Sequence, residues 1–291
     1  ARLDKDIVWL EEIDYNGQKA LVPRLYLSDA TRKDLALRGG TISGETVVVQ
    51  GRGSLATGQI VGDTVKILST EDIRNRGGDI FGKDSLVVAS DGTVLNQSGT
   101  LRGNDVLVSA GKDVINETLI ERHDKGDTWW SESQQQGLIA ATNDLRLEAG
   151  NDIRFVGGRA EAGNTAALVA GNDVNLDSKA VEFGHNRKND TASLIGQAGS
   201  FVSGKEVGIQ AGRDITLSGS HVAAETNAQL VAGRDLTLLS TQGESHMYSK
   251  HTSSGGMGRK RTDILQRDET KALGSSVAAG GNLNLRAGAD A

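Results

Sequence analysis

A seven-residue pattern of small, polar and apolar positions recurs along most of the chain. It reads Ala-Gly-(Asn, Arg or Lys)-Asp-apolar-x-apolar, and the alternation at its end is typical of a β-strand with one buried face. The polar pair before the strand favours a turn. The Gly favours a tight backbone bend because it has no Cβ. The copies occupy residues 110–116, 149–155, 170–176, 211–217 and 232–238, with a drifted copy at 279–285.

The spacing of these copies predicts the fold. Two intervals between successive glycines of the pattern are 21 residues, and the intervals of 39 and 41 are near twice that. One short strand cannot bury its apolar face alone, but strands stacked at a fixed period can. Related units also lie 8 residues apart, as at Gly103 and Gly111, so each turn holds at least two strands and a third segment. We therefore predict an all-β, three-sided parallel β-helix with about 21 residues per turn.

A second pattern, Gly-x-apolar-x-Gly, recurs four times between residues 40 and 103, and a short predicted strand follows each copy. Its third copy, at 78–82, carries one extra residue before the strand, which indicates a β-bulge. Asn75, Asn96 and Asn116 lie 21 and 20 residues apart, so their amides should stack and hydrogen-bond along the coil.

The register of the strands predicts which side chains form the core. The fifth position of the seven-residue pattern should form one inward column and the seventh position another. The first column comprises Val114, Ile153, Val174, Ile215 and Leu236, and the second comprises Phe155, Leu176, Leu217 and Leu238.

The periodic pattern also divides the chain. Residues 1–37 are predicted to form irregular opening strands, and residues 38–291 the β-helix. Three polar stretches interrupt the period, near residues 117–136, 178–197 and 239–272. Insertions in solenoids go to loops on one face, so these stretches are expected to leave the coil as loops or hairpins. We expect them to be more mobile than the repeats and to make few core contacts. The chain both starts and stops within the pattern, which suggests a piece of a longer array.

The repeats resemble the large exoproteins of bacterial two-partner secretion, namely filamentous haemagglutinin and the contact-dependent growth-inhibition (CdiA-type) proteins. The Ala-Gly-x-Asp-Val-x-Leu repeats carry this resemblance, and the segments 6–10 and 21–27 and the insert 239–272 look like the second haemagglutinin-repeat region. The resemblance implies a right-handed β-helix, a secreted or cell-surface location, and a role in adhesion or toxin delivery. It implies as partners an outer-membrane transporter and a target-cell envelope or receptor. In that family the toxic activity lies at the far C-terminus.

Composition limits the other classes of function. The chain of 291 residues has no Cys, so it has no disulfide or thiolate metal site. Its net charge of -6 argues against nucleic acid as a partner. Gly77–Lys83 and Gly199–Lys205 resemble a phosphate loop but lack the following Ser or Thr, so no nucleotide is expected. No catalytic residue, metal or cofactor site is predicted, and the segment is expected not to be an enzyme.

Two alternatives remain open from the residues alone. The first is calcium bound along a column of Asp side chains; Lys112, Arg213 and Arg234 beside that column instead favour charge pairing. The second is a β-helical domain that binds or cleaves carbohydrate, for which the acids near the Trp pair are the one visible feature.

The inserts supply the candidate contact residues, because they alone interrupt a repetitive surface. The first insert holds Trp129 and Trp130, which suit an interface or a membrane headgroup region but could instead pack on the rod as a cap. The third holds Arg259, Lys260 and Arg261, which would be attracted to an anionic surface.

Overall fold

The computed structural model describes residues 7–15, 18–26, 40–52, 58–254, 256 and 259–288. Thirty β-strands form three sheets of 17, 7 and 6 strands in this part of the chain. Tyr15-Asn16-Gly17 is typical of a turn between the first two predicted strands, but residues 16 and 17 lie outside the described residues, as do residues 27–39.

The first two strands precede the coil. β1 (Ile7–Tyr15) and β2 (Gln18–Tyr26) pair antiparallel over their full length. β2 then pairs in parallel with β4 (Thr46–Gly51), through Arg24 opposite Val48 and Leu25 opposite Val49. The opening strands therefore continue the stack of the coil.

From residue 40 onward the chain winds as a parallel β-helix with three sides. The 17-stranded sheet bends round the first and second sides, because the long strands β5, β7 and β9 run along both. In later coils each long strand is replaced by two shorter ones. The strands on these two sides are β3 (Thr41–Ser43), β4, β5 (Gln59–Ser69), β7 (Asp79–Ser90), β9 (Thr100–Ala110), β13 (Leu138–Ala141), β14 (Leu145–Ala149), β16 (Arg159–Ala162), β17 (Thr165–Ala170), β21 (Phe201–Gly204), β22 (Glu206–Ala211), β24 (His221–Ala224), β25 (Ala228–Ala232), β29 (Ser276–Ala279) and β30 (Leu283–Ala287).

The third side is the 7-stranded parallel sheet, and it completes each coil. Its register repeats at the predicted period; for example, Ile153 lies opposite Val174 and Phe155 opposite Leu176. The sequence prediction of an all-β, three-sided parallel β-helix is thus confirmed. The strands are β6 (Ile73–Arg76), β8 (Val94–Gln97), β10 (Val114–Glu117), β15 (Ile153–Val156), β18 (Val174–Asp177), β23 (Ile215–Ser218) and β26 (Leu236–Leu239).

The glycines of the seven-residue pattern lie directly above one another. A Cβ on Gly150 would overlap the carbonyl oxygen of Gly111, and Gly171 and Gly212 are related to the glycine below in the same way. None of these glycines has a positive φ among the described residues. The bend predicted at these glycines is present, but it does not need a positive φ. The close approach of the neighbouring coil is what excludes a side chain there.

The core is the predicted set of inward columns. Val114, Ile153, Val174 and Ile215 are fully buried, and so are Phe155, Leu176 and Leu217. The prediction is wrong for Leu238, which is 42% exposed, and Leu236 is only partly buried. Both belong to β26, which has no further strand stacked on it within the described part of the third side.

Two further details of the stack are confirmed. An amide ladder runs along the third side, in which Asn75 donates to Asn96 Oδ1 at 2.9 Å and Asn96 donates to Asn116 Oδ1 at 2.8 Å. The register of β7 also shifts between Gly82 and Ser85 relative to β5 and β9, as expected for one extra residue.

Candidate interaction surface

Each of the three inserts is a β-hairpin that leaves the coil at the same corner. The hairpins follow the third-side strands β10, β18 and β26, before the chain returns to the first side. The first comprises β11 (Ile120–Lys125) and β12 (Thr128–Ser133), the second β19 (Lys179–Arg187) and β20 (Asp190–Ala198), and the third β27 (Thr241–Ser254) and β28 (Lys260–Leu273).

The hairpins join edge to edge into one six-stranded antiparallel sheet, here called the hairpin sheet. β12 pairs with β19, where Trp130 lies opposite Phe183, and β20 pairs with β27, where Leu194 lies opposite Ser245. The order is β11-β12-β19-β20-β27-β28. The sequence predicts three separate inserts, because pairing between hairpins from different coils leaves no local signal in it.

The Trp pair holds the first hairpin to its neighbours. Neighbouring residues of a strand point to opposite faces, so Trp129 and Trp130 lie on opposite faces of the hairpin sheet. Trp129 covers Gly184 of the second hairpin, and Trp130 stacks on His123 with ring centroids 5.2 Å apart. Both tryptophans are half-buried. These contacts are with the hairpin sheet rather than with a strand of the coil.

An apolar row crosses the sheet beside Trp130. Because Trp130, Phe183 and Leu194 are opposite one another in successive strands, they share one face. Phe183 and Leu194 are each 51% exposed. Neither residue is among the contact residues predicted from the sequence, where the apolar positions of the second insert were the available signal.

A groove opens next to this row, where β20 and β27 separate after Ile195 and Glu244. It is lined by Leu194, Gly196, Gly243, Lys271 and Leu273, among others. The row and the groove together give the hairpin sheet an accessible apolar surface.

The basic run lies at the far end of the third hairpin. Arg259, Lys260 and Arg261 are exposed, and the Arg261 guanidinium lies 3.0 Å from the carboxylate of Asp263. This run is on or beside the edge strand β28, whereas the Trp pair is on β12, with β19, β20 and β27 between them. The structure therefore does not bring the two sets of predicted contact residues together.

The Asp residues of the seven-residue pattern lie in a column on the coil, and two of them, Asp173 and Asp214, each pair with an Arg of the next coil. Arg213 donates to Asp173 Oδ1 at 2.9 Å, and Arg234 donates to Asp214 Oδ1 at 2.8 Å. The same Asp oxygens accept the backbone N–H of the Asp in the next coil, at 3.1 Å for Asp214 and 3.2 Å for Asp235. The hydrogen bond from Arg213 lowers the pKa of Asp173, and that from Arg234 lowers the pKa of Asp214.

The described residues form neither a cluster of metal ligands nor a membrane-spanning helix. No group of three or more His, Asp or Glu side chains is placed to hold a metal ion in this part of the chain. None of its segments is a helix long and apolar enough to cross a membrane.

Known proteins similar to this chain share its repeats. The hemagglutinin-repeat family model matches residues 180–257, from the second hairpin into the third. The chain is 29% identical to the tRNA nuclease CdiA of Escherichia coli strain STEC_O31, over 100% of its length and 10% of that protein. It is 30% identical to the deoxyribonuclease CdiA of Dickeya dadantii, over 100% of its length and 9% of that protein. It is 32% identical to the filamentous hemagglutinin of Bordetella pertussis, over 62% of its length and 5% of that protein. No solved structure matches.

The chain thus spans about a tenth of the length of the CdiA relatives it matches. The nuclease activity of those relatives belongs to their C-terminal toxin domain, whereas the hemagglutinin-repeat region matched here is structural. CdiA and filamentous hemagglutinin are secreted or cell-surface exoproteins of two-partner secretion. With its coil, its hairpins and these relatives, the chain belongs to the hemagglutinin-repeat exoproteins, as a repeat segment of a CdiA-type or filamentous-hemagglutinin-type protein.

Proposed function

We propose that this segment is a non-catalytic rod whose hairpin sheet contacts the envelope of a target cell, and that it thereby supports delivery of a toxin carried elsewhere in the exoprotein. Export would use an outer-membrane transporter of two-partner secretion. The observation that carries the proposal is the apolar row of Trp130, Phe183 and Leu194 on the hairpin sheet.

Exposed apolar side chains that lie together on a surface mark contact sites more often than scattered ones do. Among the described residues of the coil, the large apolar side chains that are exposed lie at its last strands, and outward-facing ones elsewhere, such as Phe81 and Phe201, are partly covered. Phe183 and Leu194 instead lie on a sheet that contributes no residue to that core. The matched family region, residues 180–257, includes the hairpin that carries both residues, which supports a role for them within the repeat region.

The two predicted contact sets would act differently on this surface. Trp130 extends the apolar row, while Trp129 keeps the first hairpin in place against Gly184. Arg259, Lys260 and Arg261 would draw the end of the third hairpin to anionic headgroups. Arg261 would contribute less than the other two, because Asp263 already neutralises it in part.

Binding of the 291-residue chain to outer-membrane vesicles from target cells tests the proposal. F183S/L194S is expected to lower the bound fraction at least about fivefold, through loss of buried apolar area. The triple change R259S/K260S/R261S is expected to weaken binding more at low salt than at high salt, since screening already weakens charge attraction at high salt.

The matched control is L283S/L285S, because these two leucines are 45% and 44% exposed but lie on the coil. Circular dichroism should show every variant folded. Equal binding by wild type, F183S/L194S and the triple variant would refute the proposal, and so would equal loss in the control. Release of sugar from a panel of acidic polysaccharides would instead favour the carbohydrate-active alternative.

A further inference from the structure

The outer edge of the hairpin sheet is a long and exposed strand. β28 extends over 14 residues, and all of them except Leu273 are exposed. It pairs with β27 on one side, and no described strand pairs with its other side. Unpaired backbone N–H and C=O groups on such an edge are a template for another strand.

The side chains on one face of β28 alternate in charge about a central leucine. Alternate residues share a face, so Arg261, Asp263, Leu265, Arg267 and Glu269 project together. Their order is positive, negative, apolar, positive, negative. Read from the other end, the order is negative, positive, apolar, negative, positive, which is the complement of the first. Leu265 at the centre is 55% exposed.

We propose that β28 pairs antiparallel with β28 of a second copy of this chain, with Leu265 opposite the same leucine of the other copy. A two-fold axis at Leu265 places Arg261 opposite Glu269 and Asp263 opposite Arg267, twice each. Opposite charges directly across two strands stabilise the pair, and the two leucines contact at the centre. The two hairpin sheets become one continuous sheet.

The same charges destabilise the neighbouring antiparallel registers and the parallel arrangement. A shift of the register by two residues places Arg261 opposite Arg267 in one direction, and Asp263 opposite Glu269 in the other. Parallel pairing in register places every charge opposite its own kind. Like charges across a strand pair are destabilising, so a single register is selected. In the single copy, Arg261 and Arg267 lie 3.0 Å from Asp263 and Glu269 of their own strand, and pairing would exchange these bonds for bonds between copies.

Single-cysteine cross-linking tests the register, since the chain has no cysteine of its own. Under mild oxidation L265C should form a disulfide-linked dimer, because the axis places the two Cα atoms about 4.5 to 5.5 Å apart, within the range that a disulfide spans. The matched control T270C is on the same exposed strand, but its two copies would be about 33 Å apart. Equal cross-linking of the two variants would overturn the proposal.

Charge exchange tests the contact itself, by sedimentation of the whole chain at concentrations from about 1 µM to about 1 mM. R261E alone and E269R alone should each weaken self-association roughly tenfold or more, because two attractive contacts become repulsive. An equimolar mixture of the two variants should associate as wild type does, since the new acidic and basic side chains are then opposite each other.

A wild-type chain that stays monomeric throughout this range overturns the proposal, as does a dimer that neither charge variant weakens. A dimer that L283S/L285S abolishes while the charge variants retain it would place the contact at the end of the coil, and would also overturn it. None of these outcomes depends on binding to a target envelope.

Discussion

The indole ring of Trp129 lies across the backbone of Gly184, in the neighbouring hairpin. A Cβ on Gly184 would be 2.6 Å from Trp129 Cε2 and 2.7 Å from the carbonyl oxygen of Ala192. Only glycine leaves room for the ring at this position. This contact joins a hairpin that follows β10 to one that follows β18, and so it couples two coils through their inserts.

Replacing Gly184 with Ala should therefore displace the Trp129 ring. We expect a red shift of tryptophan emission and faster limited proteolysis within residues 120–133, because overpacking forces neighbouring groups to move. Gly208→Ala is the matched control, as no atom lies within 4 Å of its added Cβ. Emission and cleavage rates equal to wild type in G184A would show that the ring is not held there.

Truncation of Leu217 and Leu238 compares two equivalent positions of one column. Leu217 is fully buried, and Leu238 in the next coil is 42% exposed. Leu217→Ala should lower the free energy of unfolding by about 2–5 kcal/mol, through lost burial and a cavity. Leu238→Ala should lower it by less than half as much. Urea denaturation measures both, and similar losses would contradict the assigned end of the stack.

Asn96 occupies the middle of the buried amide ladder. Its Nδ2 donates to the carbonyl of Gly99 at 2.9 Å and to Asn116, and its Oδ1 accepts from Asn75. Asn96→Ala should lower the free energy of unfolding by about 2–4 kcal/mol, since buried polar groups lose their partners.

The neighbouring Gln97 provides the control for this change. Its side chain is half-buried and donates to Glu117 at 2.6 Å. Gln97→Ala should lower the free energy of unfolding by less than about 1 kcal/mol. Equal effects of the two substitutions in urea denaturation would mean that the ladder does not stabilise the coil.

The Arg–Asp pairs predict how stability depends on pH. The folded-state pKa of Asp173 lies below its unfolded value, because Arg213 donates to the carboxylate. The stabilisation is thus present above the unfolded pKa, near about 4, and is lost as pH falls through the folded pKa. Arg213→Gln should flatten the loss of stability in this acid range.

The control for the pH experiment is Arg146→Gln. The Arg146 guanidinium contacts Glu148 of its own strand, 2.5 Å away, rather than an Asp of another coil. Urea midpoints measured from about pH 2.5 to about pH 6 should fall with decreasing pH in R146Q as steeply as in the wild type. If the midpoints of R213Q also fall as steeply as in the wild type, the Arg213–Asp173 pair is not a source of the pH dependence.

Deletion of residues 243–267 should leave the coil folded. Every residue of the buried core cluster lies outside the three hairpins. We expect a strand-type circular dichroism spectrum and cooperative thermal unfolding to remain. Loss of that spectrum would show that the third hairpin is needed for the coil to form.

The sequence by itself determined the coil. Alternation around Val114 and Ile153 specifies which face of each strand is buried, and the period of about 21 specifies that equivalent residues stack. Both signals are local and repeated, so the inward columns and the Asn ladder could be read directly from them. The inserts were visible as interruptions of the same period.

Only the tertiary structure decided how the hairpins combine and where the core ends. Trp130 pairs with Phe183, and Leu194 pairs with Ser245. These pairings form because stacking of the coil places the three hairpins side by side, although they are far apart in the sequence. Leu238 has the same local pattern as Leu217, but its burial depends on whether another strand lies beyond it. Pairing between distant hairpins and burial at the end of a stack are set by neighbours in space, and a repeating sequence pattern does not specify those neighbours.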